Sequence, residues 1–182
     1  MNKRFALMLM SAAAVVLAGS AMAAPSEAKV AYTAANERAA VDYKLARPKC
    51  DSLTGNPKDV CIAEAKAARI HVEADAKAQY KNTLSARTEA RKAIADADYD
   101  VNKVRCGSQT GNAKDVCIKE AKAALISAVA DATADKKVSE ARKDAREDKQ
   151  TAEYKVALEK CDALAGTAKD ACIAAANNRF GK

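Results

Sequence analysis

The six cysteines of the chain form three pairs with the same spacing, and this repeat constrains the fold more than any other feature. Each pair is written C-x10-C, and the pairs recur 55 to 56 residues apart. Residues 50–70 match residues 106–126 at 16 of 21 positions, so the chain repeats one structural unit. The repeat predicts an architecture and names no reaction. The pairs are Cys50 with Cys61, Cys106 with Cys117, and Cys161 with Cys172.

The N-terminus predicts export. Lys3 and Arg4 precede an apolar stretch at 5–18, and the sequence Ala-Met-Ala at 21–23 suits a signal peptidase site. The stretch is shorter than the roughly 20 residues that a membrane-spanning helix needs. We expect a signal peptide at 1–23, cleaved near Ala23, and no transmembrane segment after it. The expected location is the bacterial periplasm, where paired cysteines oxidise to disulfides.

Alanine limits the core that residues 24–182 can form. From position 24 onward, 39 of 159 residues are alanine, whereas valine, isoleucine and leucine together number 22. Alanine has the best helix propensity but buries only a methyl group. The composition therefore predicts a single elongated helical repeat domain at 24–182 in place of a deep globular core.

The long polar and alanine-rich stretches between the C-x10-C units, residues 58–106 and 112–165, contain no glycine or proline. We therefore predict an all-α fold with helices at 26–53, 57–106, 113–164 and 168–179, arranged as long antiparallel hairpins in an extended bundle or coiled coil. In this arrangement residues 82–135 project as a two-helix arm. The heptad pattern is patchy, because charged residues share the seam with apolar ones, and this leaves open a break in a long helix.

Each C-x10-C unit predicts a helix-turn-helix corner, at 50–61, 106–117 and 161–172. Six cysteines allow 15 disulfide connectivities, and the repeat favours the three local pairs, each holding two antiparallel helices together across a short turn. Each turn has a glycine for the left-handed residue that ends a helix, then an N-cap, then an aspartate in the first helical turn. These residues are Gly55, Asn56 and Asp59; Gly111, Asn112 and Asp115; and Gly166, Thr167 and Asp170.

A tyrosine lies seven residues before the first cysteine of each unit, at Tyr43, Tyr99 and Tyr154. Its ring would fill space that alanine leaves open between helices while its hydroxyl stays in water. Stacking against a ligand is the alternative role for these three rings.

The sequence offers no pattern typical of a metal site or an enzyme. Zinc ligands usually occur at spacings of two to four residues, and the one histidine, His71, has no partner motif. There is no C-x-x-C for redox chemistry, no phosphate-binding loop and no nucleophile motif. We therefore expect no catalytic residues, no metal, no cofactor and a surface position for His71.

Charge suggests partners only weakly. The formal net charge is +7, but acidic and basic residues alternate within nearly every helical turn. Nucleic-acid surfaces cluster lysine and arginine among aromatic residues, which this sequence does not do. We expect no nucleic-acid binding, an unidentified protein partner in the periplasm, and weak contact with anionic components of the envelope.

The unit Y-x6-C-D-x-L-x-G-x-x-K-D-x-C-I-x-E-A-K-A-A resembles the repeat of exported, alanine-rich proteins of beta-proteobacteria that are often labelled cell envelope biogenesis TolA-like. The resemblance covers nearly all of 24–182. It implies a helical protein of the cell envelope, without the membrane anchor and separate C-terminal domain of TolA itself.

The sequence leaves two functions open. The first is a non-enzymatic structural or interaction protein of the periplasm, built as a disulfide-stapled helical rod. The second is a Skp-like periplasmic holdase that grips unfolded envelope proteins. A holdase needs exposed apolar surface, and with few large apolar residues in the chain we expect it to be the weaker explanation.

Overall fold

A computed structural model describes residues 26–182, and every regular element in this range is helical. The predicted all-α class is therefore confirmed. The predicted signal peptide lies outside the described residues, and no helix within them is long and apolar enough to cross a bilayer. The helices are α1 (Glu27–Ala46), α2 (Gly55–Lys81), α3 (Leu84–Arg105), α4 (Gly111–Cys161) and α5 (Gly166–Phe180), with 3₁₀ segments at Arg47–Ser52 and Cys106–Ser108.

The predicted continuous helix at 57–106 is wrong, because the chain reverses direction at Asn82 and Thr83. Asn82 takes a left-handed conformation, with φ 44°, and ends α2. Thr83 then begins α3 as its N-cap, and its side-chain oxygen accepts a hydrogen bond from the Ala86 backbone N–H at 3.1 Å. Asparagine tolerates the left-handed region better than most residues, so this turn forms without glycine or proline.

The predicted arm at 82–135 is therefore absent, since α3 returns along α2. The His71 ring on α2 bonds Asp98 on α3, whereas the Asn56 side chain at the start of α2 reaches Val104 near the end of α3. The order of these two pairs shows that the helices run in opposite directions.

Among the described residues, helices pack on their neighbours in sequence: α1 on α2, α2 on α3, α3 on α4, and α4 on α5. No comparable packing joins helices that are not consecutive in this range. A closed four-helix bundle would also bring its first and last helices together. Helices α1 to α4 instead form an open layer, which we call the helix layer, and both of its faces are accessible.

The residues buried between the helices are mainly alanines, joined by three cysteines and by Val101 and Phe180 as the large apolar side chains. Small side chains at a contact let helix axes approach closely. One buried cluster joins Ala67 of α2 to Ala97 and Val101 of α3, with Ile70 against it. The interior of the helix layer is therefore thin, as the alanine content predicts.

Thr83 and Thr110 provide a matched test of the unpredicted turn. Both are N-caps, but the Thr110 side chain makes no capping hydrogen bond, and the third unit has alanine at the equivalent position, 165. We expect Thr83→Ala to lower the free energy of unfolding by about 1 kcal/mol and Thr110→Ala to change it by less than about 0.5 kcal/mol. Urea unfolding of both variants measures the difference. Equal losses would contradict the cap at Thr83.

Candidate functional site at the second corner

Three disulfides join the ends of consecutive helices at the predicted corners. They link Cys50 to Cys61, Cys106 to Cys117 and Cys161 to Cys172, with Cα–Cα distances of 5.6, 5.7 and 5.6 Å. All six cysteines are paired, which confirms the predicted disulfide bonds. The first cysteine of each pair is fully buried. The corners are thus the points at which the thin interior is covalently fixed.

The turns differ from the prediction in register. Gly55, Gly111 and Gly166 have the expected positive φ, at 63°, 57° and 57°, but they begin the following helices. The residue before each glycine is extended, so each helix begins two residues earlier than predicted, with its N-cap at position 54, 110 or 165. The predicted N-caps Asn56, Asn112 and Thr167 are second residues of helices. The predicted first-turn aspartates Asp59, Asp115 and Asp170 follow the first turn.

Ion pairs lock the first and third corners. The Asp51 carboxylate lies 3.0 Å from the Lys58 ammonium, and Asp162 lies 2.9 Å from Lys169. In both cases the aspartate follows the first cysteine and the lysine follows the glycine by three residues. Hydrogen bonds from Arg47 and Lys58 also lower the pKa of Asp51. At the first and third corners, an aspartate of the same corner therefore neutralises the lysine of the turn.

The second corner lacks this pair because Gly107 occupies the position of Asp51 and Asp162. The space is used by Asn56 of the first corner, whose side-chain amide donates to the Val104 carbonyl oxygen at 2.7 Å. A Cβ built on Gly107 would lie 2.5 Å from Asn56 Nδ2. Gly107 thus lets the first corner dock against the second, and it leaves Lys114 without the aspartate that its counterparts have.

A groove of about 680 Å³ opens at this junction of α2, α3 and α4. We call it the second-corner groove. Its apolar lining comes from all three helices and includes Ile62, Ile70, Val104 and Ile118. Three exposed lysines and two exposed aspartates also line it: Lys66, Lys103 and Lys114, with Asp59 and Asp100.

None of the three groove lysines forms an ion pair with another residue of 26–182. Lys103 lies 5.9 Å from the centroid of the Tyr99 ring, where a cation is weakly attracted to the aromatic face. Unpaired ammonium groups beside an apolar surface are suited to contact an anion that also carries an apolar part.

A second groove between α2 and α3 shares Ala67 with the first but has different polar residues. These polar residues form ion pairs across the two helices. Arg105 donates to Glu64 at 2.6 Å, and His71 Nε2 lies 2.9 Å from Asp98. His71 is half-exposed, close to its predicted surface position. The polar groups of this groove are therefore engaged with each other, whereas the lysines of the second-corner groove are not.

The three repeat tyrosines are half-buried and have different partners. Arg69 lies 5.8 Å from the Tyr43 ring, and Phe180 packs on Tyr154 with ring centroids 5.7 Å apart. The Tyr154 hydroxyl donates to Asn177 at 2.7 Å. Tyr43 and Tyr154 thus contact the helix that follows their corner, while Tyr99 lies near Lys103 on its own helix.

Within residues 26–182, no cluster of three or more histidine, cysteine or acidic side chains is placed to hold a metal ion. The groove residues missed in the sequence are Lys66, Lys103 and Lys114. One signal pointed to them, namely the change from Cys-Asp to Cys-Gly at 106–107.

In comparisons with known proteins, the chain matches no protein-family model, no curated protein and no solved structure. The geometry of the chain itself is therefore the basis of any functional proposal.

The contact between Asn56 and Gly107 is testable by a double-mutant cycle. We expect Gly107→Ala to displace the Asn56 amide and to lower the free energy of unfolding by about 1 kcal/mol, the usual net value of one hydrogen bond. In an Asn56→Ala background the same change should cost nothing, because the space is then free. Denaturant unfolding of the four proteins gives the coupling energy, and additive effects would contradict the docking of the two corners.

Proposed function

We propose that the protein is a non-enzymatic structural or interaction protein of the cell envelope, acting in the periplasm as a disulfide-stapled helical rod. The observation that carries the proposal is α4, a helix of 51 residues that runs unbroken from the second corner to the third. At about 1.5 Å per residue it extends for about 77 Å. Such a helix can hold two binding surfaces at a fixed distance.

The middle of α4 favours this spacer role. Residues 137–149 are all exposed, and they precede Gln150, whose side-chain amide donates to the Phe180 carbonyl oxygen of α5 at 3.4 Å. Lys136 pairs with Glu140 and Lys143 with Glu147, each at a separation of four residues. Pairs of this kind stabilise an isolated helix by about 0.2–0.5 kcal/mol each. The segment can therefore remain helical without a packing partner.

The arrangement of the helices as long antiparallel hairpins belongs to the same proposal. Pairs such as Arg91 with Asp135, and Tyr154 with Asn177, are consistent with long antiparallel hairpins in an extended bundle. A role without catalysis is favoured by the surroundings of His71, because its shallow groove contains no serine, threonine or cysteine that could act as a nucleophile. Three disulfides are typical of an oxidising compartment such as the periplasm.

Small-angle scattering tests the rod. We expect a maximum dimension of at least about 75 Å, set by the length of α4. Ala145→Pro should break α4 within its exposed segment and change the scattering profile, because no other helix of 26–182 packs across that position. Ala145→Ser is the matched control that keeps the helix. A compact wild-type particle, with a radius of gyration near the roughly 15 Å of a globular domain of this size, would contradict the proposal.

The holdase remains the second candidate because the surface is more apolar than the composition led us to expect. Large apolar side chains are exposed along several helices, including Val30 at 53%, Leu45 at 63% and Ile126 at 59%. These side chains are spread over different helices and do not form one enclosed cleft. We therefore rank the holdase below the structural role.

An aggregation assay separates the two candidates. We expect weak or no suppression of the aggregation of an unfolded outer-membrane protein at equimolar ratio in high salt, where screening removes nonspecific attraction. Light scattering over time measures it. Suppression that resists salt and is lost in Leu45→Gln and Ile126→Gln, but not in Lys143→Gln, would place the holdase first.

A further inference from the structure

The second-corner groove combines an apolar floor from three helices with unpaired positive charge, whereas the groove of Val156, Lys160 and Arg179 at the third corner is lined by two helices only. Its floor is formed by isoleucine, valine and alanine side chains from three helices, and no further helix of 26–182 covers it. An uncovered apolar floor favours a ligand with an apolar part, since burial of apolar surface drives association.

The charge of the groove favours an anion. Three lysines against two aspartates leave one excess positive charge, which matches a ligand with a single negative charge. Lys114 is the clearest contributor, because Gly107 removes the aspartate that neutralises Lys58 and Lys169 at the other corners. A ligand carboxylate near Lys114 would take the place of that missing aspartate.

The size of the groove favours a ligand with a single acyl chain. Its volume of about 680 Å³ lies within the roughly 300–1,000 Å³ of typical small-molecule sites. The lining residues on α2 extend from Asp59 to Ile70, which is about 16 Å along the helix axis. This length suits one extended acyl chain of about the size of laurate, and it is short for a docked helix of several turns.

We propose that the second-corner groove binds a medium-chain fatty acid of about twelve carbons, with the acyl chain on the apolar floor and the carboxylate at Lys114. This inference goes beyond the structural role and does not depend on it. A rod that binds no fatty acid, or a fatty-acid site on a chain that is not rod-shaped, would each be recognised separately.

Titration calorimetry with laurate below its critical micelle concentration tests the site, using the exported protein with its disulfides intact. We expect saturable binding of one laurate per chain. Decanoate, with two methylenes fewer, should bind about four- to sixteenfold more weakly, at two- to fourfold for each methylene. Dodecyltrimethylammonium, which has the same chain and the opposite charge, should bind at least about fivefold more weakly than laurate.

Variants locate the site. Lys114→Gln should weaken laurate binding by about two- to fivefold, the usual range for one exposed ion pair. Lys58→Gln and Lys169→Gln are matched controls, because they remove the equivalent lysines of the other two corners and should leave the affinity unchanged. Gly107→Asp restores the aspartate of the repeat beside Lys114 and should weaken binding at least as much as Lys114→Gln. Circular dichroism of each variant checks that the helices are retained.

The proposal would be overturned by the absence of saturable laurate binding, by equal affinity for the cationic amphiphile, or by equal losses in Lys58→Gln and Lys114→Gln. Binding of dodecyl phosphate without laurate would also overturn it, and would assign the groove to a different anion. Native mass spectrometry that shows a dimer dissociated by Ile62→Ala would instead identify a second copy of the chain as the occupant.

Discussion

The fold depends on three short covalent links between helix ends, because the interior of the protein is mainly methyl groups. The buried residues between helices are largely alanines, and few large apolar side chains are fully covered. Each disulfide closes a loop of sequence separation 11, which the chain-entropy model values at about 3 kcal/mol. The links lie at the turns, where the first cysteine of each pair is fully buried, and they orient pairs of helices that alanine packing then holds along their length.

The open helix layer follows from the small number of contacts between helices that are not consecutive in sequence. Since each helix packs mainly on its neighbours in sequence, the layer needs no long-range closure and its folding relies on local contacts. The consequence is that both faces remain accessible. In one groove of α2 and α3 the cross-helix ion pairs of Glu64 with Arg105 and His71 with Asp98 satisfy the polar groups. In the second-corner groove the lysines have no such partners among residues 26–182, and this contrast is the basis of the ligand site that we propose there.

The main features that recur in all three units were predicted from the sequence, and the features found in only one place were missed. The helical class, the cysteine pairs and the left-handed glycines followed from the recurring unit. The turn at Asn82 was missed because asparagine is a weak signal in a stretch without glycine or proline, and because the alanine-rich sequence on both sides has a high helix propensity and predicts one continuous helix. The N-caps were predicted two residues too late in the chain, because the N-cap is the extended residue before each glycine, for example Thr54. The groove could not be predicted, because Asn56 and Gly107 meet only through tertiary packing.

The departure at Gly107 gives the groove at the second corner its free space and its unpaired lysine. The third corner also has a groove, but only α4 and α5 line it. At the second corner α2 lies against α3 and α4 follows it, which creates a floor from three helices. An aspartate there would clash with Asn56 and neutralise Lys114. Glycine instead leaves space for the Asn56 side chain and leaves the positive charge of Lys114 unpaired. One substitution within an otherwise regular repeat therefore links the docking of two corners to the specificity for an anion that we propose for the groove.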